Sequence, residues 1–210
     1  MTGDWQRRLA PGLKTLGVTL PAGAEAALLA YVDLLVRWNQ AYNLTAVRDP
    51  AEMVSKHLLD SLAILPFVTG PAVADVGTGA GLPGIPLALA RPDLKFTLID
   101  SNGKKTRFVT QAMAELKLGN VTVVQARTEA WRPAAAFPQV VSRAFASLGD
   151  FAKLAGGLAE PGGRLLAMKG ADPEDEKTAL PAGFRVLAVH PLEVPGLDAE
   201  RCLVELEKQA

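Results

Sequence analysis

The segment 73–84, VADVGTGAGLPG, constrains the fold of this chain more than any other part of the sequence. A short apolar run leads into Asp75, and three glycines follow at every second position, Gly77, Gly79 and Gly81. Glycines at this spacing let the backbone turn tightly between a strand and a helix, and let it approach a ligand closely. The segment therefore predicts a strand, a glycine-rich turn and a helix, which together form a ligand-binding unit.

The same segment is compatible with two classes of ligand and with a purely structural turn. Residues 79–84, GAGLPG, match G-x-G-x-x-G, the dinucleotide motif, although this match alone is weak. A carboxylate at Asp75 would repel the pyrophosphate of a dinucleotide and would suit a positively charged ligand. S-adenosylmethionine carries a sulfonium and an ammonium group and no phosphate. We therefore expect S-adenosylmethionine, and the alternatives are a dinucleotide or a turn without a ligand.

The composition is that of an ordinary globular protein. The chain has 210 residues, 49% of them apolar and 21% charged, and its formal net charge is zero. Binding to nucleic acid would therefore need a local basic surface. Cys202 is the only cysteine, and His57 and His190 lie far apart in sequence, so we expect no disulfide and no metal site. We find no signal-peptide pattern and no membrane-spanning run, and we expect a cytoplasmic protein without membrane contact.

The first third of the chain has helical patterns. Apolar residues recur at steps of three and four over 24–42, as on one face of an amphipathic helix. Asp49, Pro50 and Glu52 are typical of the N-cap, first residue and capping-box partner of a second helix, which should run to about Leu65.

Strands and helices alternate after residue 71. The strands are expected at 73–76, 95–99, 121–125, 139–142, 163–168, 184–190 and 202–207, and one intervening helix at 104–118 with Gly119 as its C-cap. This alternation implies a parallel sheet with helices on both faces. No helix pattern separates the last two strands, so they could form a hairpin with the last strand antiparallel, as in class I methyltransferases. We predict this α/β fold, with 1–70 as a helical extension and 71–210 as a methyltransferase domain.

Residues that follow the carboxyl ends of the strands are the candidate cofactor contacts. Asp100 ends the second strand, where it could accept hydrogen bonds from both ribose hydroxyls or could cap the next helix. Thr128 and Glu129 follow the third strand, where they could contact an adenine ring or simply cap the segment that leads to Trp131. Gly77 and Gly79 would bring the backbone close to the same ligand.

The end of the fourth strand supplies a candidate for the reaction site. Arg143 could bind the methionyl carboxylate of the cofactor or an RNA phosphate, and it is the only catalytic candidate. Phe145 could stack on a target base. The alternatives are a surface arginine and a core phenylalanine.

Three further basic residues are candidates for RNA contact. Lys169, Arg48 and Arg201 lie near the expected open side of the sheet.

His57 and Asp60 are three residues apart on a helix. We expect them to pair with each other as part of a helix face and not as a catalytic dyad.

Five blocks of the sequence resemble one family closely. They are WNQAYNLT at 38–45, HLLDS at 57–61, DVGTGAGLPGIP at 75–86, DS at 100–101 and SRAFAS at 142–147. Together they resemble the bacterial small-subunit rRNA guanine-N7 methyltransferases, also called glucose-inhibited division protein B. The resemblance covers about 24–207, and WNQAYNLT and SRAFAS are its most specific blocks.

The resemblance implies methyl transfer from S-adenosylmethionine to N7 of one guanine in the 530 loop of 16S rRNA, with S-adenosylhomocysteine as the other product. Carried over to this chain, the cofactor contacts fall on Gly77, Leu82, Thr128, Glu129 and Arg143. The partner would be 16S rRNA or the small ribosomal subunit, and we expect a monomer. A methyltransferase that acts on a small metabolite is the alternative function.

The expected reaction needs no general base. Guanine N7 has a free lone pair at neutral pH and loses no proton when it attacks the methyl group. The enzyme has to align the reacting atoms and exclude water.

Cys202 stands where relatives often have a histidine, which puts any role of that side chain in RNA contact in doubt.

Overall fold

The computed structural model describes residues 4–143 and 145–209, so Ala144 of the SRAFAS block lies outside the described residues. The strands are β1 (Ala72–Val76), β2 (Lys95–Asp100), β3 (Val121–Gln125), β4 (Phe137–Ser142), β5 (Ala159–Lys169), β6 (Phe184–Pro191) and β7 (Cys202–Lys208). They form one seven-stranded sheet in the order β3-β2-β1-β4-β5-β7-β6. Each predicted strand is present, and the largest difference is that β5 begins four residues earlier than expected.

The direction of the strands confirms the predicted fold class. Strand β1 is parallel to β2 and β4, β2 is parallel to β3, and β4 is parallel to β5. Strand β7 is antiparallel to β5 and β6, between which it lies. The carboxyl ends of β1 to β5 and the beginning of β7 therefore meet at one edge of the sheet. In sheets of this type the ligand crevice lies outside that edge, where the strand order reverses between β1 and β4.

Helical segments of the described residues precede the sheet and connect its strands. The α-helices are α1 (Leu9–Leu16), α2 (Ala24–Tyr42), α3 (Pro50–Met53), α4 (Asp60–Leu62), α5 (Gly84–Ala90), α6 (Gly103–Glu115), α7 (Leu148–Ala155) and α8 (Glu174–Lys177). A π-helical segment, Val54–Leu59, joins α3 to α4, and 3-10 helices lie at Asp4–Arg8, Leu65–Phe67 and Gly156–Leu158.

The beginning of α3 follows the sequence prediction only in part. The side chain of Asp49 accepts a hydrogen bond from the Ala51 amide, as an N-cap does, and Pro50 is the first helical residue. Glu52 forms an ion pair with Lys56 one turn later, and not the capping-box bond that we expected. The sequence predicted one regular helix to about residue 65, whereas in the structure the helix changes from α to π geometry after Met53.

The C-terminal end of α6 differs from the prediction. Gly119 is not its C-cap, because the helix ends one turn earlier, at Glu115. Lys117 adopts the left-handed conformation, with φ of 54°, and the Leu118 amide donates to the Met113 carbonyl. This is the hydrogen bond that usually accompanies a left-handed glycine, so a lysine here takes the conformation that we assigned to the glycine.

Two buried clusters fill the two faces of the sheet. The first cluster contains residues of α1, α2 and α4 together with residues of α5, α6 and β2, and the second cluster lies between the sheet and α7. The division into two domains at residue 70 stays a prediction. The first cluster contains residues from both sides of it, such as Leu35, Leu58 and Phe108. Within the described residues we find no helix with the length and apolar character that crossing a membrane requires.

Candidate functional site

The glycine-rich loop between β1 and α5 forms one side of the site. Gly77, Gly79 and Gly81 have φ values of 67°, 61° and 90°, which residues with a Cβ rarely adopt. The amide of Leu82 donates to the carbonyl of Thr78, which closes the loop into a compact turn. The alternating glycines are therefore required by the backbone conformation, and they leave the loop surface free of side chains.

Asp75 lies underneath this loop and does not face the crevice. Its side chain is fully buried, and its Oδ2 accepts hydrogen bonds from Thr78 Oγ1 at 2.6 Å and from the Gly84 amide at 2.8 Å. Burial raises the pKa of Asp75 to about 6, against the opposing effects of those hydrogen bonds and of Arg143. The sequence argument used only the charge of Asp75, and the structure gives this residue a second role, because its hydrogen bonds to Thr78 and Gly84 fix the shape of the loop.

Asp100 reaches the same loop from the end of β2. Its Oδ2 accepts a hydrogen bond from the Gly79 amide at 2.9 Å, and its Oδ1 accepts one from the Asn102 amide at 2.8 Å. Helix α6 is capped by Asn102, whose Oδ1 accepts from the Lys104 amide, so capping by Asp100 is not needed. An ionised carboxylate has about four lone-pair positions, so Asp100 can accept further hydrogen bonds.

Helix α2 is attached to the glycine-rich loop by a residue that the sequence reasoning missed. The hydroxyl of Tyr31 donates to the carbonyl of Ala80 at 2.7 Å, and both groups are buried. Burial raises the pKa of the Tyr31 phenol, which therefore stays protonated as a donor. The sequence showed Tyr31 only as part of the apolar face of α2, because nothing local to it identifies a carbonyl 49 residues away.

The remaining predicted cofactor contacts lie on loops at the same edge of the sheet. Leu82 is buried within the glycine-rich loop, and Gly77 is half-buried. Thr128 is half-buried and Glu129 is exposed, in a turn after β3. The carbonyl of Glu129 accepts a hydrogen bond from Arg132 at 2.7 Å.

A cavity of about 380 Å³ lies at the ends of β4 and β5 and the beginning of β7. Three of the predicted basic residues, Arg143, Lys169 and Arg201, meet in its wall. The other lining residues are Val47, Lys56, His57, Asp60, Met168, Gly170, Leu192 and Cys202. The sequence analysis identified these basic residues as separate candidates, and the folded chain places them in the wall of one cavity.

Asp60 pairs with two arginines, which corrects the predicted pairing with His57. Its Oδ2 lies 2.9 Å from Arg143 Nη1, and its Oδ1 lies 3.1 Å from Arg201 Nε. Arg143 Nη1 also donates to the carbonyl of Lys56 at 2.9 Å. A carboxylate gains more from two guanidinium groups than from a neutral imidazole three residues away on the same helix.

His57 is held by a residue of the WNQAYNLT block. Its Nε2 lies 2.9 Å from Thr45 Oγ1, and the amide of Thr45 donates to Asn39 Oδ1. Burial, assisted by the positive charge of Arg143, lowers the pKa of His57 to about 4, so the imidazole is neutral at pH 7. Among the described residues, its buried Nδ1 has no hydrogen-bond partner.

Two predicted RNA contacts already have partners within the protein. Lys169 Nζ donates to the carbonyl of Ala146 at 2.7 Å and lies 3.0 Å from Glu176 Oε1. Arg48 lies outside the cavity wall, and it donates to the carbonyl of Asn39 and to Asn43 Oδ1. Both side chains therefore stabilise the surrounding loops, and their contact with RNA stays a prediction.

Phe145 packs against the core cluster on the α7 side of the sheet. Its half-buried ring stacks on Phe151 of α7, with 5.2 Å between ring centroids, and its contact with a target base stays a prediction. Cys202 lines the cavity, and burial raises the pKa of its thiol. Among residues 4–143 and 145–209, no group of three or more histidine, cysteine, aspartate or glutamate side chains could hold a metal ion.

Comparison with protein families and curated proteins gives a consistent result. The family model described as "GidB: rRNA small subunit methyltransferase G" matches residues 24–204. The chain is 54% identical over 205 residues to "Ribosomal RNA small subunit methyltransferase G" of Xanthomonas campestris pv. campestris (strain 8004), covering 98% of this chain and 96% of that protein. It is 55% identical over 203 residues to the protein of the same name from Pseudomonas aeruginosa (strain LESB58), covering 96% and 95%.

Solved structures share the fold at low sequence identity. TrmN from Thermus thermophilus is similar with a TM-score of 0.56 at 21% identity, over 81% of this chain and 53% of that one, so the match spans about half of TrmN. The N-methyltransferase NodS from Bradyrhizobium japonicum WM9, in complex with S-adenosyl-L-homocysteine, has a TM-score of 0.56 at 15% identity, over 82% and 99%. These likenesses show the class I methyltransferase fold.

Proposed function

The chain belongs to the rRNA small subunit methyltransferase G family, and on this premise we propose that it transfers the methyl group of S-adenosylmethionine to N7 of one guanine of the small-subunit rRNA. The observation that carries this proposal is the 54% identity to a curated methyltransferase of that name over 98% of the chain. The resemblance of the sequence blocks extends the proposal to the 530 loop of 16S rRNA, in the cytoplasm, with the enzyme as a monomer.

The geometry of the glycine-rich loop supports S-adenosylmethionine over a dinucleotide. The Gly79 amide, which would be available to a diphosphate in a dinucleotide site, donates instead to Asp100. That amide is therefore occupied, and the negative charge of Asp100 beside the loop attracts a cationic nucleoside. We propose that Asp100 also accepts hydrogen bonds from the ribose hydroxyls, since its oxygens retain lone pairs.

The other cofactor contacts are proposed for residues along the same edge. The backbone at Gly77 and Leu82 would pass close to the ligand, and Thr128 with Glu129 would contact the adenine ring. Arg143 would bind an anionic group, because its side chain is 26% exposed and lines the cavity. The cofactor supplies an activated methyl group on a positively charged sulfur.

The basic cavity is the proposed site for the target nucleotide. Arg143 and Arg201 share the single carboxylate of Asp60, so one positive charge stays in excess at the wall and suits an RNA phosphate, while Lys169 lies in the same wall paired with Glu176. The N7 of guanine lies on the edge that faces the deep major groove of an RNA helix, so the target must be unstacked or in a loop. His57 is neutral at pH 7, and the reaction removes no proton from N7, so we assign no general base. The residues of the cavity would orient the guanine and exclude water.

The test is to incubate the protein with S-adenosylmethionine labelled in its methyl group and with small subunits that lack the modification, and in parallel with naked 16S rRNA. We expect label at N7 of a single guanine in the 530 loop with one of the two substrates. Absence of labelled guanine with both would contradict the proposal and favour a small metabolite as the acceptor. Tight binding of NAD in place of S-adenosylmethionine would contradict the proposed cofactor.

A further inference from the structure

Asp60 connects two strand ends that are not neighbours in the sheet. Arg143 directly follows β4 and Arg201 directly precedes β7, and β5 lies between these two strands. Asp60, the first residue of α4, bridges them with one oxygen to each guanidinium, at 2.9 Å and 3.1 Å. A single carboxylate therefore sets the distance between the two guanidinium groups across the width of β5.

The three side chains differ in their exposure. The carboxylate of Asp60 is 2% exposed, whereas the side chains of Arg143 and Arg201 are 26% and 28% exposed and line the cavity. A buried carboxylate that loses its partners is strongly unfavourable, so Asp60 keeps both arginines in place. Each guanidinium has five donors in a fixed planar arrangement, which is more than Asp60 accepts, so the pair can bind a second anion on the cavity side.

The charges of the cavity leave an excess at this pair. Lys56 is paired with Glu52 at 2.9 Å, and Lys169 with Glu176 at 3.0 Å. Two guanidinium groups share the one carboxylate of Asp60, which leaves one positive charge in excess. One carboxylate or one phosphodiester carries the matching single negative charge.

We infer that Asp60 is a positioning residue, which sets Arg143 and Arg201 so that both bind one anionic group of the substrates. The inference rests on the proposed function, which supplies two such groups: the carboxylate of S-adenosylmethionine and a phosphate of the RNA. These groups share the chemistry that a pair of guanidinium groups recognises. Asp60 acts through the arginines and does not itself contact the reacting atoms.

The experiment compares Asp60→Asn and Asp60→Glu with the unmodified protein. The asparagine keeps the shape of the side chain, but it removes the charge and turns an amide N–H toward one guanidinium. Calorimetry gives the Kd for S-adenosylmethionine, and methyl transfer to unmodified small subunits gives the KM for RNA. We expect Asp60→Asn to raise one of these constants about tenfold or more, as loss of a charge-assisted contact would, and to leave the other unchanged. Asp60→Glu should recover part of the loss, and the constant that moves identifies the anion.

Asp93→Asn is the matched control, since Asp93 pairs with Arg91 through two hydrogen bonds and lies outside the cavity wall. It should change neither constant. If Asp60→Asn lowers the Tm but leaves both constants unchanged, or raises both equally, the positioning role is wrong. If Asp60→Asn does not fold, Arg201→Gln is measured in its place. An unchanged Kd for S-adenosylmethionine together with an unchanged KM for RNA in Arg201→Gln would also overturn the inference. Failure of the proposed function is seen separately, because the unmodified protein would then not methylate rRNA.

Discussion

Two buried groups of the site should change the pH dependence of stability in opposite directions. Burial lowers the pKa of His57 from 6.5 to about 4, and burial raises the pKa of Asp75 from 3.8 to about 6. The contribution of His57 is present above pH 6.5 and is lost as the pH falls toward 4, because the unfolded chain then binds more protons. The contribution of Asp75 is present below pH 3.8 and is lost as the pH rises through 6, because the folded chain binds the proton more tightly.

The two effects are similar in size. One pKa unit corresponds to about 1.4 kcal/mol. The pKa of His57 lies about 2.5 below its ordinary value, so acidification to pH 4 costs about 3 kcal/mol of unfolding free energy. The pKa of Asp75 lies about 2.2 above its ordinary value. Acidification over nearly the same pH range therefore adds about 3 kcal/mol to the unfolding free energy. In the unmodified protein these two contributions should nearly cancel.

Substitution of either residue should therefore reveal the contribution of the other. We expect the unfolding free energy of Asp75→Asn to fall by about 2 kcal/mol between pH 7 and pH 4.5, relative to the unmodified protein, and that of His57→Gln to rise by about as much. Urea titrations followed by tryptophan fluorescence measure both. Each variant is compared with its own value at pH 7, so the cost of the substitution itself cancels.

The control for this experiment is Asp33→Asn, which removes an exposed carboxylate of α2. Its pH dependence should follow that of the unmodified protein. If the curves for Asp75→Asn and His57→Gln also run parallel to it, the argument from burial is refuted.

Three further predictions concern the glycine-rich loop. Asp100→Ala should weaken S-adenosylmethionine binding by about 1–3 kcal/mol, from the loss of hydrogen bonds to a charged acceptor, and an unchanged Kd in calorimetry would refute the ribose role. Tyr31→Phe leaves a buried loop carbonyl without its donor and should lower the unfolding free energy by about 1–3 kcal/mol in urea titrations; equal stability would show that this hydrogen bond is dispensable. Gly84→Ala would place a methyl group 2.6 Å from Asp75 Oδ2 and should therefore lower the Tm. The control is Gly119→Ala, whose added methyl group meets nothing within 4 Å and should leave the Tm unchanged. Equal Tm values for the two variants would contradict the close approach at Gly84.

Local features of the fold were predictable because their causes are local. The left-handed glycines at Gly77, Gly79 and Gly81, the Asp49 cap and the whole of α2 follow from a few consecutive residues. The antiparallel β7 was also predictable, because the segment before it is too short and too irregular for a crossover helix. These features depend on backbone conformation and apolar periodicity, which the sequence displays directly.

The partners of the polar side chains were not predictable in the same way. His57 and Asp60 are neighbours on one helical stretch, and sequence spacing suggested that they pair. The fold brings Arg143 and Arg201, which are 83 and 141 positions from Asp60, within hydrogen-bonding distance of it. Opposite charges in a buried place outweigh the proximity of a neutral imidazole, and only the folded chain shows which charges meet.

The amino-acid sequence alone therefore determined the seven strands in their order along the chain, the glycine-rich turn and the membership of a family, since each is encoded in contiguous residues. Tertiary structure decided that Asp75 lies beneath the turn while Asp100 closes it from the side, and that Tyr31 ties α2 to the same loop. It also decided that one aspartate holds two arginines at a cavity. Those arrangements depend on burial and on contacts between distant segments, and neither exists until the sheet and its helices have packed.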